Sequence, residues 1–177
     1  MNVAELLKLS GAFWTTATIH AGVKLDLFTA LAHKPQTATE LASHVQADNR
    51  ALAMLLNALT ALEVLEKRNE TFSTNAFSAQ YLAKDSPDYL GHIVMHHHYL
   101  VEGWSKLDQA VLTGKAVRTR STFSDDKVHE SFLMGMFNVA VNQADAVAAR
   151  LDLSGKKRLL DLGGGPGTYA VYFCRHN

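Results

Sequence analysis

Residues 158–170, RLLDLGGGPGTYA, carry the most distinctive pattern in this chain. An apolar run ends in an acidic residue, four glycines follow within five positions, and a helical pattern begins at Thr168. Glycine accepts positive φ and lets a ligand approach the backbone, and the free N–H groups of a helix N-terminus attract anionic groups. The stretch therefore predicts a short buried strand, a ligand-binding loop and a helix, which together open an α/β domain of the nucleotide-binding type.

The spacing of the glycines distinguishes between ligands. A dinucleotide fingerprint needs Gly-x-Gly-x-x-Gly, but counted from Gly163 the third glycine position is Thr168. What remains is Asp161-x-Gly163-x-Gly165-x-Gly167. A carboxylate beside the loop suits an ammonium group better than a pyrophosphate, and S-adenosylmethionine carries both an ammonium and a carboxylate. The alternative, a tight turn without a ligand, is disfavoured because so many glycines cost conformational entropy in a plain connection.

Composition limits the class of protein. The chain has 177 residues, enough for one ordinary domain or for a small domain and part of another. Lys plus Arg and Asp plus Glu both number 17, so no excess charge favours nucleic acid or an anionic membrane. Neither a signal peptide nor a run of roughly 18 apolar residues is present. The single cysteine, Cys174, cannot form an internal disulfide, which indicates a cytoplasmic protein. It lies in an apolar segment, so we expect its side chain in the core.

The first 82 residues read as short helices followed by one hairpin. Apolar residues at helical spacing predict two helices before Pro35, the first with Val3, Leu6, Leu7 and Leu9 and the second with Val23, Leu27, Phe28 and Leu31. Thr37 and Glu40 form a capping-box pattern, and Asp48 is the N-cap of a leucine-rich helix. Residues 63–74, EVLEKRNETFST, read as two strands around a polar turn. Helix, helix and hairpin in this order indicate a winged-helix arrangement.

The middle of the chain reads as helical. Ser86 and Pro87 suit the N-cap and first position of a helical region that runs to about Gly114. Residues 115–126 are polar and predict a loop, and a long helix should follow over about residues 127–151. Its predicted buried residues include Val128, Phe132, Met136 and Val147.

Two features of the sequence suggest functions other than binding a small cofactor. Winged-helix modules commonly bind DNA, but the candidate recognition helix, residues 49–62, offers Arg50 as its single cation and therefore suits a core or an interface. A second feature suggests metal binding: a run of four histidines, His92, His96, His97 and His98. Because no Asp or Glu lies within that run, a polar pocket or a helix surface is favoured, with His97 or His98 as a candidate contact to an acceptor.

The glycine stretch resembles motif I of class I S-adenosylmethionine-dependent methyltransferases. The whole chain resembles the first half of the O-methyltransferases that include plant caffeate-type and animal hydroxyindole-type enzymes and their bacterial relatives. The resemblance implies a mainly α chain. Residues 1–84 would form a winged-helix-like dimerisation domain, residues 85–153 a helical connector lining the acceptor pocket, and residues 154–177 the first strand, loop and helix of a Rossmann-like catalytic domain.

The resemblance also implies roles for particular residues. A Phe-x-x-Gly-Met stretch precedes motif I in this family, and Phe132 and Met136 match its two pocket-lining positions, although helix core is the alternative from spacing alone. Several plant members have a polar run after the Met, and this chain departs from that pattern with residues 137–139, FNV. The positions that match the cofactor loop are Asp161, Gly163, Gly164, Gly165 and Gly167.

The function implied by the resemblance is methyl transfer from S-adenosylmethionine to a hydroxyl of a small aromatic acceptor, by a homodimer. The general base comes later in the family's order, so we expect no catalytic residue in this chain. We also expect no metal site. The chain alone would be inactive, and it would be either a fragment or a truncated product. Residues 3–9 and 13–19 supply more apolar surface than a small domain covers and predict the dimer interface. A winged-helix DNA-binding regulator and a non-enzymatic dimerisation module are the alternatives.

Overall fold

The computed structural model describes residues 1–117 and 125–177, which form two compact units, Met1–Gly91 and His92–Asn177. The predicted polar loop at 115–126 falls largely on residues 118–124, which lie outside the described residues. None of the helices in the described residues combines the length and hydropathy needed to cross a bilayer.

The first unit contains six helices among its described residues and a small antiparallel sheet. The helices are α1 Val3–Ser10, α2 Ala12–Lys24, α3 Leu27–His33, α4 Ala38–Val45, α5 Asn49–Ala61 and α6 Ala76–Tyr81. The strands are β1 Gln36–Thr37, β2 Glu66–Arg68 and β3 Thr71–Ser73, in the order β1-β3-β2. The predicted hairpin in residues 63–74 is confirmed by β2 and β3, in which Lys67 lies opposite Phe72. Strand β1 was not predicted, because two residues are too few to show the alternation of apolar and polar residues that marks a strand.

Local side-chain chemistry begins α4 and α5 as predicted. The Glu40 carboxylate accepts hydrogen bonds from the Thr37 N–H at 2.7 Å and the Thr37 hydroxyl at 2.8 Å, and Glu40 N–H donates back to Thr37 Oγ1 at 3.3 Å. Asp48 Oδ1 accepts from the N–H of Ala51 at 2.8 Å. Both caps satisfy N–H groups that a helix N-terminus leaves unpaired, so the boundaries follow from a few residues.

The predicted helix that joined Val23 to Leu31 is two helices, so this prediction was wrong. Asp26 separates them with a φ of 57°, in the left-handed region that ends a helix. The Thr29 hydroxyl donates to Asp26 Oδ1 at 2.6 Å, and Lys84 Nζ donates to Asp26 Oδ2 at 2.7 Å. Lys84 lies far along the chain, so these partners could not be inferred from local pattern.

The core of the first unit lies between its helices and the sheet. Its large buried residues are Val23, Leu27, Phe28, Leu31, Leu41, Leu52, Leu56, Leu59, Leu65 and Phe72. The surface of α1 and the start of α2 differs, because none of the described residues of α1 is buried and Phe13 and Trp14 on α2 are exposed. The two rings pack on each other with centroids 5.2 Å apart. This apolar surface, formed by Val3, Leu6, Leu7, Leu9, Phe13 and Trp14, is the α1–α2 surface.

The second unit contains four helices among its described residues, α7 Gly91–Trp104, α8 Leu107–Thr113, α9 Asp126–Ala148 and α10 Thr168–Arg175, with α7 beginning at the boundary. One prediction was wrong here. Ser86 and Pro87 lie in turns, because Ser86 Oγ accepts from Asp88 N–H at 3.2 Å and Leu90 N–H donates to the Tyr81 carbonyl at 2.8 Å. The predicted helical region is confirmed as the two helices α7 and α8, and Gly114, with a φ of 64°, ends α8 at the predicted position.

Helix α9 forms as predicted but buries different residues. Its buried positions are small or polar: Ser131, Gly135, Asn138, Ala140, Ala144 and Ala148. A Cβ on Gly135 would lie 3.1 Å from the Cα of Ile93, so α7 and α9 approach closely there and only small residues fit. Phe132 and Met136 flank this contact and are half-buried, as is Val128, whereas Val147 is 38% exposed, so its predicted burial was wrong.

The glycine stretch forms a loop and a helix without the predicted strand. Residues 158–162 are exposed and carry no strand pairing, and Leu160 is 79% exposed. A strand requires a hydrogen-bonded neighbour, and nothing in the described residues pairs with this segment. Helix α10 begins at Thr168 as predicted and packs on α9, with His176 Nε2 2.8 Å from Asp145 Oδ1. Cys174 on α10 is exposed, so its predicted core position was wrong.

Candidate functional site

Helix α9 and the glycine loop line one groove of about 430 Å³ in the second unit. The lining residues are Phe132, Met136, Val139, Ala140, Asp161, Leu162, Gly163, Gly164, Gly165, Pro166, Thr168 and Tyr169. This groove, called the α9–loop groove below, brings six of the seven sequence-predicted site residues together. The seventh, Gly167, is the N-cap of α10 and follows Pro166 directly.

Backbone geometry explains three of the loop glycines. Gly163, Gly165 and Gly167 have φ values of 69°, 56° and 71°, in the left-handed region that favours glycine. A Cβ at any of them would have no other atom of the described chain within 4 Å, so backbone conformation and not space requires glycine. Gly167 N–H donates to the Gly164 carbonyl at 2.9 Å, which closes the loop immediately before α10.

Gly164 is required for a different reason, which involves Asp161. A Cβ at Gly164 would lie 2.1 Å from Asp161 Oδ2 and 2.3 Å from Asp161 Cγ. The carboxylate therefore lies directly against the loop backbone, in space that any other residue at position 164 would fill. Asp161 is the only acidic residue among the described residues that line the groove, and none of them is Lys, Arg or His. This lining suits a cationic group and has no side chain to neutralise a pyrophosphate.

The other polar end of the groove is the N-terminus of α10. Gly167 has no side chain to cap the helix, so the first N–H groups of α10 are available to a ligand, with the positive end of the helix dipole behind them. Thr168, the first residue of α10, is 6% exposed, and its Oγ1 has no hydrogen-bond partner among the described residues. The groove thus offers a carboxylate at Asp161 and donors at Thr168, which fits the ammonium and carboxylate of an α-amino acid.

Helix α9 supplies the apolar wall of the groove. Phe132, Met136, Val139 and Ala140 recur at the spacing of one helix face. The Phe132 ring also packs on the buried His96 ring, with centroids 5.3 Å apart, which fixes the wall from behind. Sequence reasoning missed Val139 and Ala140, although a helical period continued from Met136 would have indicated both.

The histidine run lies on α7 and does not line the α9–loop groove. His96 packs against His97 and Phe132, with ring centroids 6.1 and 5.3 Å apart. Across residues 1–117 and 125–177, no group of three or more His, Cys, Asp or Glu side chains is placed to hold a metal ion. His97 and His98 as acceptor contacts remain predictions.

Comparison with known proteins identifies a domain that the chain shares with O-methyltransferases. Residues 7–84 match the family model for the O-methyltransferase dimerisation domain. The chain is also 34% identical, over 97% of its length, to 3-hydroxy-5-methyl-1-naphthoate 3-O-methyltransferase of Streptomyces sahachiroi. Residues 7–84 of the chain are thus an O-methyltransferase dimerisation domain. The match covers 52% of the Streptomyces protein, and the chain spans about half the length of the curated relatives it matches.

Two further proteins extend the comparison. The N,N-dimethyltransferase OxyT of Streptomyces rimosus is 28% identical over 94% of the chain and 52% of its own length. The structure of an O-methyltransferase family protein from Burkholderia thailandensis superimposes with a TM-score of 0.86 at 30% identity, covering 99% of this chain and 54% of that one. The described fold is therefore similar to that of the corresponding part of the Burkholderia protein.

Proposed function

We propose that this chain is the dimerisation region, acceptor-lining connector and first cofactor-binding element of an S-adenosylmethionine-dependent O-methyltransferase. The observation that carries the proposal is the α9–loop groove, in which Phe132 and Met136 lie in the same cavity as Asp161 and the glycine loop. Similarity to O-methyltransferases supports the cofactor, and the chemistry of the groove fits it independently. S-adenosylmethionine supplies an activated methyl group on a sulfonium.

In this proposal, residues of the chain bind the cofactor and orient it toward the acceptor. The Asp161 carboxylate holds the ammonium of the cofactor, and the glycine loop brings the backbone within reach of it. Phe132 and Met136 form an apolar wall that excludes water from the reacting groups and contacts an aromatic acceptor. Orientation of two reactants against each other in one groove lowers the barrier to transfer. We assign no general base to this chain.

We further propose a homodimer with winged-helix-like N-terminal domains. The arrangement of α4, α5 and the β2–β3 hairpin supports the winged-helix assignment, and the α1–α2 surface supports the dimer. A DNA-binding regulator is not favoured, because Arg50 is the one cation on α5 and its guanidinium contacts Met54 Sδ at 3.8 Å. The one cysteine supports a cytoplasmic location.

The acceptor atom is the part of the proposal that needs a direct test, since one relative is named for methylation of nitrogen. The protein at its full natural length is incubated with methyl-labelled S-adenosylmethionine and either a hydroxynaphthoate or the matched aminonaphthoate. We expect label in the hydroxyl compound and none in the amine. Transfer to the amine alone would overturn the O-methyltransferase assignment, and the absence of transfer to a broad panel of aromatic hydroxyl compounds would overturn the proposed reaction.

A further inference from the structure

We infer that Thr168 is a specificity-determining residue whose hydroxyl donates a hydrogen bond to the amino-acid carboxylate of the cofactor. The inference rests on the proposed function and deepens it. It predicts that the groove selects S-adenosyl compounds that keep this carboxylate over adenosyl thioethers that lack it.

The burial of the Thr168 hydroxyl is the first observation. The residue is 6% exposed, and Oγ1 has no hydrogen-bond partner in residues 1–117 and 125–177. A buried hydroxyl without a partner destabilises a fold, and valine would fill the same space without that cost. A threonine at this position is therefore explained by a partner that arrives with the ligand.

The position of Thr168 indicates the charge of that partner. Thr168 is the first residue of α10 and lines the α9–loop groove, so its hydroxyl lies beside the unpaired N–H groups of the helix N-terminus. The helix dipole makes this end of the groove favourable for an anion. Asp161 lies in the same groove and favours the opposite charge, and an α-amino acid group carries both.

The rest of the lining explains why one hydroxyl is expected to matter. Among the described residues that line the groove there is no Lys, Arg or His, so no cationic side chain is present to hold the carboxylate. The donors that the described residues offer to the carboxylate are the N–H groups of the loop and helix and the Thr168 hydroxyl. A hydrogen bond to a charged group contributes more than one between neutral groups, and loss of this bond corresponds to about 10- to 150-fold in affinity.

The experiment compares two ligands and two variants in the protein at its full natural length. Isothermal titration measures binding of S-adenosylhomocysteine, which keeps the amino-acid group, and of 5′-methylthioadenosine, which lacks it. Thr168→Val should weaken S-adenosylhomocysteine about 10- to 150-fold and leave methylthioadenosine unchanged. Thr168→Ser, the matched control, keeps the hydroxyl and should bind both ligands within about threefold of wild type.

A stability measurement separates recognition from a structural role. Without ligand, Thr168→Val should melt at the wild-type temperature or above it, because it removes a buried unpartnered hydroxyl. A lower melting temperature, an equal loss for both ligands, or unchanged S-adenosylhomocysteine affinity would each overturn the role of Thr168 while the proposed function stands. If the wild-type protein binds neither ligand, the proposed function fails and the inference fails with it.

Discussion

Substitution of Trp14 by alanine should break the proposed dimer while leaving the fold intact. Trp14 lies on the α1–α2 surface and is 68% exposed in the single chain. The buried residues of α2 are at its other end, at His20, Gly22 and Val23, so removal of the indole should not affect the core.

The magnitude follows from that exposure. A buried tryptophan covers about 150 to 250 Å², so roughly 100 to 170 Å² of Trp14 remains for a partner to cover. At about 25 cal/mol/Å² this corresponds to roughly 2.5 to 4 kcal/mol per copy, and a two-fold dimer contains two copies. We expect the dimer dissociation constant to rise by about 10³-fold or more.

Sedimentation equilibrium between nanomolar and micromolar concentrations measures the two dissociation constants, and circular dichroism checks the helical content of the variant. Phe77→Ala is the matched control, because Phe77 is an exposed aromatic residue of the same unit outside the α1–α2 surface. The interface assignment is refuted if the wild-type chain is a monomer at micromolar concentration, or if Trp14→Ala dimerises as tightly as wild type.

Three further predictions follow from local geometry. Gly164→Ala should weaken S-adenosylhomocysteine binding as strongly as loss of Asp161 does, because the new Cβ would displace the carboxylate; calorimetric titration with unchanged affinity would refute this. Thr37→Ala should lower the free energy of unfolding in urea by about 1 kcal/mol at pH 7 through loss of an N-cap. Hydrogen bonds from the N–H and hydroxyl of Thr37 hold the pKa of Glu40 below its ordinary value. The contribution of the Thr37–Glu40 hydroxyl bond to this free-energy difference should therefore shrink as the pH falls through that lowered pKa. Duplex DNA should show no binding by fluorescence anisotropy at physiological salt, since Arg50 is the only cation of α5, and a salt-sensitive complex would contradict this.

The features that the sequence predicted correctly are those fixed by neighbouring residues. The cap at Thr37, the cap at Asp48, the β2–β3 hairpin and the start of α10 each depend on side chains or glycines within a few positions. The expectation that Phe132 and Met136 line a pocket rested on the resemblance to a family and not on the sequence pattern alone. Neither residue type nor spacing would have distinguished that pocket from ordinary helix packing.

The features that the sequence missed depend on distant parts of the chain. The helix break at Asp26 is held by Lys84, and the small residues buried on α9 reflect its close approach to Ile93. Residues 158–162 have strand composition but no pairing neighbour among the described residues. Thr168 was not predicted as a site residue, because its significance lies in burial without a hydrogen-bond partner, which a one-dimensional pattern does not show.

The most direct test of the central claim is the affinity of S-adenosylhomocysteine for the protein at its full natural length, measured by calorimetry for wild type and for Asp161→Asn. Asp108→Asn is the matched control, since Asp108 is exposed and does not line the α9–loop groove. Loss of one charge-assisted hydrogen bond to the ammonium, worth about 1.5 to 3 kcal/mol, should weaken binding by about 10- to 150-fold in Asp161→Asn. Asp108→Asn should bind as wild type does. Equal affinity of wild type and Asp161→Asn would contradict the assignment of the glycine loop as the cofactor site.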